Sequence, residues 1–393
     1  MLVDNTPDRN VFILGAGFSV DAGAPLVNDF LDTARELFDD PNSNLDEQEK
    51  EDFKKVFEFR KHVSQAREKF KIDLDNIEQL FGLIEMSYRL DSGTSNVRDA
   101  MVYVIAKTLQ LAIQGKGNRP SIVIRSSVPN APWMHLFNPG EQLHPNVFRP
   151  DIYRHFANLI TGKYDDPAKL RSRANIVITF NYDLVLDNVL RRLDVNPDYG
   201  LDEPAIEGSQ EKGVQISLLK LHGSTNWAIC PSCQKVHVLQ DVKFTDDPGA
   251  FRMRSCSRCG GAGLRLLLVP PTWDKSEYRE AMRPVWKKAI DALKSAKRIC
   301  IIGYSMPETD TFFKFLLTLG LADNYQLFRL VVVDLVTPGI NRSTIEQRYR
   351  EMLEGVFESR RFKFFGDGFA NFLNQGASSA IGRAEMVMTS GII

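Results

Sequence analysis

Six short apolar runs, each stopping at a glycine or a polar residue, constrain this chain more than any other feature. They are VFILGAG from Val11, NIVITFNYD from Asn175, ISLLKLHGS from Ile216, LRLLLVPP from Leu264, RICIIGYS from Arg298 and LFRLVVVD from Leu327. Nearly continuous runs of this kind leave no polar face, so the strands they predict are buried on both sides, as in a parallel sheet covered by helices. The expected fold class is therefore α/β with a doubly wound parallel sheet. In such sheets ligands bind outside the carboxyl ends of the strands. That rule gathers Gly15, Asn181, His222, Pro270, Gly303 and Asp334 around one expected cleft.

The first run ends in Gly-Ala-Gly before a helix-like segment, VFILGAGFSVDAGAPLVNDFL. A strand that stops at glycines before a helix leaves backbone N–H groups facing the place where an anion can sit. Gly15 and Gly17 are followed by Val20, with Gly23 displaced, so the third small residue of the dinucleotide fingerprint is missing. Read alone, the segment is equally a plain tight turn.

At 393 residues the chain exceeds the roughly 250–300 residues at which single cores stop growing, so two domains or a sizeable insertion are expected. Residues 45–114 carry three stretches with apolar spacings near three and four, beginning LDEQEKEDF, LDNIEQLF and VRDAMVYV, which predict amphipathic helices. The stretch GKGNRPSIVIRSSVPNAPWMHLFNPGEQLHPN that follows reads as a long loop, either a contact surface or a plain connector. A net charge of −1 excludes a whole-surface preference for nucleic acid or anionic membrane. No apolar run reaches the roughly 18 residues of a membrane helix, and MLVDNTPDRN lacks a secretory core, so a cytoplasmic location is expected. In a reducing compartment the five cysteines read first as thiols or metal ligands.

Cys230 and Cys233 form CPSC, and Cys256 and Cys259 form CSRCGG, with 22 residues between the pairs. Two-residue spacing lets both thiolates of each pair reach one tetrahedral ion, for which zinc is the natural occupant. Four cysteines leave no open coordination position, so such a metal is structural; reduced, metal-free cysteines are the alternative. Cys300, inside RICIIG, reads as an inert core thiol.

Asn181 and Asp183 leave a buried strand in TFNYD, where Asn181 is either a helix cap at Tyr182 or a polar group facing the cleft. His222 ends another strand. The other five histidines, His62, His135, His144, His155 and His237, have no chemical neighbour in sequence.

The order of these parts resembles the sirtuin family of NAD-dependent deacylases and their relatives. GAGFS is similar to that family's Gly-Ala-Gly-x-Ser loop, FNYD to its Gln-Asn-Ile-Asp motif, LHGSTNWAICPSC to its Leu-His-Gly motif leading into a zinc module, and IIGYS to its Gly-Thr-Ser turn. The resemblance implies a Rossmann-like domain from residues 1–30 and 151–365, a small zinc-binding lobe at about 226–265, a helical insertion and loop over 31–150 and a tail over 366–393. It implies that Gly15, Ala16, Gly17 and Ser19 hold the NAD phosphates and that Gly303 and Ser305 line the adenosine side. Asn181 and Asp183 would face the nicotinamide and its ribose, with His222 as the base. Asp334 falls where an acidic side chain could accept from the adenosine ribose diol.

The departures point within the family. Deacylases continue the first loop as Gly-Ile-Pro-Asp-Phe-Arg, where this chain has GAPLVNDFL; after the zinc lobe they carry Val-Val-Phe-Phe-Gly-Glu to pair with the acyl-lysine peptide, where this chain has LVPPTWDKSEY. Proline cannot donate to a ladder, so Pro270 and Pro271 make a poor edge for an added strand. With its IGYSMPETD segment and helical insertion the chain resembles a subset of sirtuin-like proteins in bacterial antiviral defence, which implies NAD hydrolysis to ADP-ribose and nicotinamide. A homo-oligomer and a regulatory partner such as a translocating ATPase are further implied expectations. The rival readings are an NAD or ADP-ribose sensor without turnover and a protein deacylase.

Overall fold

The computed structural model describes residues 8–65, 72–90, 95–115, 150–162, 173–207, 214–239, 248–270, 276–306, 311–334, 342–352 and 361–375. The expected loop around APWMHLF, with His135 and His144, and the last residues of the expected tail lie outside them.

The chain opens with β1 (Asp8–Leu14), followed by α1 (Phe30–Asp39), α2 (Glu47–Ser64), α3 (Ile77–Leu90), α4 (Ser95–Ile113) and α5 (Pro150–Thr161). Next come β2 (Arg173–Thr179), α6 (Val185–Arg192), β3 (Val195–Asp198), β4 (Ala205–Glu207), β5 (Val214–Lys220), β6 (Gly223–Ile229), β7 (Val236–Leu239) and β8 (Arg265–Leu268). The last third holds α7 (Arg279–Lys294), β9 (Arg298–Ile302), α8 (Thr311–Leu321), β10 (Arg329–Val333), α9 (Arg342–Met352), β11 (Phe362–Phe365) and α10 (Gly368–Gln375).

Five of the six apolar runs are strands of one seven-stranded sheet, ordered β11-β10-β9-β1-β2-β5-β3 with every neighbouring pair parallel. Val11 to Leu14 and Leu330 to Val333 are buried without alternation, as strands covered on both faces must be. Helices α5, α6 and α10 pack together, as do α7 and α8, and the two groups cover the sheet: α10 against β10, and α7 against β1 and β5. Phe156 of α5 meets Phe12 of β1 edge to face. The fold is α/β and Rossmann-like.

From β1 the chain proceeds to β2 on one side, and after β5 it returns to β9 on the other side of β1. The crevice between the carboxyl ends of β1 and β9 is thus the point where strand order reverses, the usual ligand position in open parallel sheets.

The sixth run departs from expectation. LRLLLVPP supplies β8, the edge strand of a second, four-stranded sheet ordered β4-β7-β6-β8, where it pairs antiparallel with β6. Continuous burial misled the assignment because a short strand covered by other elements has the same signature. Here α4 and the turn Pro248–Met253 lie against β8.

The helices α1 to α4 pack on one another. At the start of α2, Asp46 accepts from the Glu49 N–H while Glu49 accepts from the Asp46 N–H, a reciprocal capping box that offsets two orphan donors. Phe53, Val56 and Phe57 form the buried stripe of α2. Two arginines tie these helices to the segments flanking β8. Arg98 of α4, nearly buried, bonds Glu85 at 2.7 Å, Glu277 at 2.8 Å and the Tyr278 hydroxyl at 2.7 Å. Arg252 pairs with Asp52 and lies 3.5 Å over the Tyr103 ring. Residues 368–375, within the stretch expected as a tail, form α10, whose Phe369 packs against Phe18, Tyr153 and Phe156.

Candidate active site

The loops after β1 and β9 touch through glycine. A Cβ on Gly15 would lie 2.6 Å from the Gly303 oxygen, and one on Gly303 would lie 2.2 Å from the Phe18 nitrogen, at φ +64. Only an absent side chain permits this approach. The loop does not hold out the open row of N–H donors that the sequence argument supposed. Gly17 N–H donates to Gly303 O at 2.8 Å, Phe18 N–H to Gly15 O at 3.0 Å and Ser19 N–H to Ala16 O at 3.0 Å, because the chain turns through two short 3-10 turns after β1.

The next strand brings its polar end to the same place. Asn181, just beyond β2, donates from Nδ2 to Gly15 O at 2.9 Å and to the buried Ser19 Oγ at 3.1 Å. The Ser19 hydroxyl also lies close enough to Asp183 to act on its carboxyl. Burial pushes the Asp183 carboxyl above the ordinary carboxylate range, although the Lys220 charge, the Val185 N–H and the Ser19 hydroxyl act the other way. Asn181 does not cap a helix at Tyr182: α6 starts at Val185, and Asp183 Oδ1 accepts the Val185 N–H at 2.9 Å. The physical reason is that Asn181 is committed to the glycine loop, which leaves the turn to Asp183.

His222 follows β5 and is 4% exposed. Its ring sits among Phe180 at 5.2 Å, Tyr182 at 6.1 Å and Phe312 at 6.1 Å between centroids. Phe180 also stacks on Tyr304, the residue after Gly303, at 5.1 Å. Asn181, Asp183, Ser19, Gly15, Ala16, Gly17 and Gly303 therefore form one contact set, joined to His222 through aromatic rings. Ser305 is exposed beyond β9, and Asp334 ends β10, its main chain bonded to Phe365 and Gly368.

Strand-tip carbonyls are held from the surrounding elements. Tyr153 of α5 donates to Phe18 O, Trp286 of α7 to Leu221 O and Tyr349 of α9 to Tyr304 O. Tyr182 donates to Val269 O at 2.9 Å, while Val269 N–H donates to His222 O at 2.8 Å. Pro270 therefore does border the cleft, but from the second sheet.

The four cysteines meet beyond the far end of β6, eight residues from His222, a reach of up to about 26 Å at ~3.3 Å per residue. Their Sγ atoms all lie within 4.8 Å of one another, with Cys230–Cys259 at 3.6 Å and Cys233–Cys256 at 3.5 Å. Sulfurs around zinc at about 2.3 Å sit about 3.8 Å apart, so the cluster fits a structural zinc. Burial opposes ionisation of Cys256, but the Cys259 N–H and His237 outweigh it and bring the thiol down to about 5. His237, fully buried with Nε2 3.3 Å from Cys256 Sγ, was set aside in sequence because its neighbour is 19 residues distant. Cys300 is buried and its thiol is pushed up, in keeping with an inert core residue. Tyr182 and Lys220 were also missed. The one signal for Lys220 was a cation inside an apolar run.

No protein-family model matches the chain, and no curated protein sequence matches it. Among solved structures it is similar to sirtuins. A structure addressing the basis of sirtuin substrate affinity is 15% identical over 94% of this chain and 92% of that one, with a TM-score of 0.34. Sir2Tm bound to a propionylated peptide is 15% identical over 90% and 96%, with a TM-score of 0.32. Sir2 with a p53 peptide and NAD+ is 14% identical over 94% and 92%, with a TM-score of 0.35.

Proposed function

We propose that this chain binds NAD across the β1/β9 crevice and hydrolyses it to ADP-ribose and nicotinamide. The order of motifs and the contact set joining Asn181, Ser19, Asp183 and the glycine loop support a dinucleotide site at the strand-order reversal. Gly15, Ala16 and Gly17 would bring bare backbone against the diphosphate, with Ser19 beside it. Gly303, Ser305 and Asp334 would lie toward the adenosine.

The observation that carries hydrolysis over deacylation is the closed main chain at Val269. An added peptide strand needs free N–H and C=O groups at an edge. Val269 has given its N–H to His222 and its C=O to Tyr182, Pro270 and Pro271 have no N–H, and α4 covers β8. With the Val269 main chain closed to an acyl-peptide strand among the described residues, water is the nucleophile in this reading. The bond from ribose C1′ to the nicotinamide nitrogen breaks, nicotinamide leaves with the electron pair, water oxygen bonds C1′, and its proton passes to His222. Because the leaving group is cationic, no strong acid is required; the buried Asp183 carboxylate offsets the positive charge that develops on the sugar. Zinc held by Cys230, Cys233, Cys256 and Cys259 would brace the second sheet and take no part. Unrestrained hydrolysis would exhaust a host's NAD, so the reading includes control by self-assembly or by a defence-system partner.

The test is to incubate the purified chain with NAD, with and without candidate partners and an acylated peptide, and to follow free nicotinamide. Release without peptide is expected. Acyl-ADP-ribose formed only with peptide would make the chain a deacylase. Tight binding with no release under any condition would make it a sensor.

A further inference from the structure

Lys220 is 1% exposed at the end of β5, two residues before His222. An ammonium group is costly to bury, so its partners carry the explanation. Its Nζ donates to the main-chain oxygen of Asp183 at 2.5 Å and to Asp187 Oδ2 at 3.1 Å. The other Asp187 oxygen accepts from Tyr199 at 2.6 Å, and Tyr199 accepts from Arg191 at 2.8 Å. On the far side of His222, Thr225 N–H and Ser224 Oγ both donate to Tyr182 O, at 3.0 and 3.3 Å. The two carbonyls after Asn181 are thus gripped by residues on either side of His222. The Asn181 loop and the His222 loop hold one another at fixed spacing.

We infer that Lys220 is a positioning residue for the reaction: its buried ammonium locks the Asn181–Asp183 segment against the strand that delivers His222. It touches no substrate and acts through the Asp183 carbonyl. A neutral side chain of the same length would leave that carbonyl and Asp187 Oδ2 without their Lys220 donor, and the segment would lose its register against His222. The inference rests on the hydrolase reading for its kinetic consequence but not for its geometry.

Lys220→Met alone strands the Asp187 carboxylate and so confounds folding with catalysis. The informative variant is Lys220→Met with Asp187→Asn, which removes both charges. Expected is a double variant that melts close to wild type and binds NAD within about threefold. It should release nicotinamide about 100-fold more slowly, the order of loss that a misplacement of about 1 Å produces. Amide hydrogen exchange across residues 181–185 should rise at least tenfold in the same variant. A turnover number within threefold of wild type, or unchanged exchange over 181–185, overturns the inference. So does activity lost only in proportion to a lowered melting temperature, which would make Lys220 structural. If wild type releases no nicotinamide at all, the hydrolase reading fails, and the exchange experiment still decides the positioning role.

Discussion

At the residue scale the cleft brings together one side-chain amide, Asn181, and two buried ionisable groups, Asp183 and His222. Asn181 spends both Nδ2 hydrogens on Gly15 O and Ser19 Oγ, which under the proposed hydrolase reading leaves its Oδ1 to meet the substrate. Asn181→Ala and His222→Ala should each cut nicotinamide release by about 10²–10⁴-fold while circular dichroism stays unchanged. Full activity in both would end the assignment. Asp183 gives a pH prediction with a definite sign. Its folded-state pKa is raised by burial, so the native state holds that proton more tightly than the unfolded chain does. The stabilisation is complete below the ordinary carboxylate range and is lost as pH rises through the raised value, so at neutral pH the buried charge destabilises. Asp183→Asn should therefore melt above wild type near neutral pH, with the advantage vanishing toward about pH 4, while turnover falls. A lower melting point at every pH would contradict the account. As candidates, Asn181 and His222 were legible in sequence because each ends an apolar run. Tyr182 was not, since a tyrosine next to an asparagine says nothing of a carbonyl on residue 269.

At the element scale the β1 and β9 loops behave as one unit, because three glycines let two backbones touch. Gly303→Ala should destabilise the protein by at least about 1–3 kcal/mol and abolish NAD binding, since both the positive φ and the 2.2 Å approach to Phe18 N forbid a methyl. Retained binding in calorimetry would show that the loops can part without loss. The cysteine lobe makes a separate forecast. The purified chain should carry one zinc per molecule by atomic emission, and Cys256→Ser should lose the metal and melt lower. A metal-free, fully stable wild type would leave the four thiols as packing alone. Cysteine spacing made this lobe legible, since pairs two residues apart have few other uses. The LRLLLVPP strand was not, because an apolar run records burial and is silent on which sheet supplies the neighbours.

Across the whole molecule, helices α1 to α4 are joined to the segments flanking β8 by Arg98 and Arg252. Arg98→Met leaves Glu85 buried without its cation and should cost about 3–5 kcal/mol in denaturant unfolding. A variant as stable as wild type would show that the helices do not depend on this clamp. By itself the sequence determined six of the strands, the parallel sheet, the four-cysteine cluster and the candidates at the strand tips. Each follows from local chemistry: apolar run length, glycine at a turn, two-residue cysteine spacing. Only the tertiary structure decided that β8 belongs to a second sheet, that the glycine-loop amides turn inward, that Tyr182 closes Val269, and that Lys220 spans the Asn181 and His222 loops. Those outcomes depend on which backbone groups meet across tens to hundreds of residues, and a hydrogen bond of that kind leaves no periodicity in the chain that forms it.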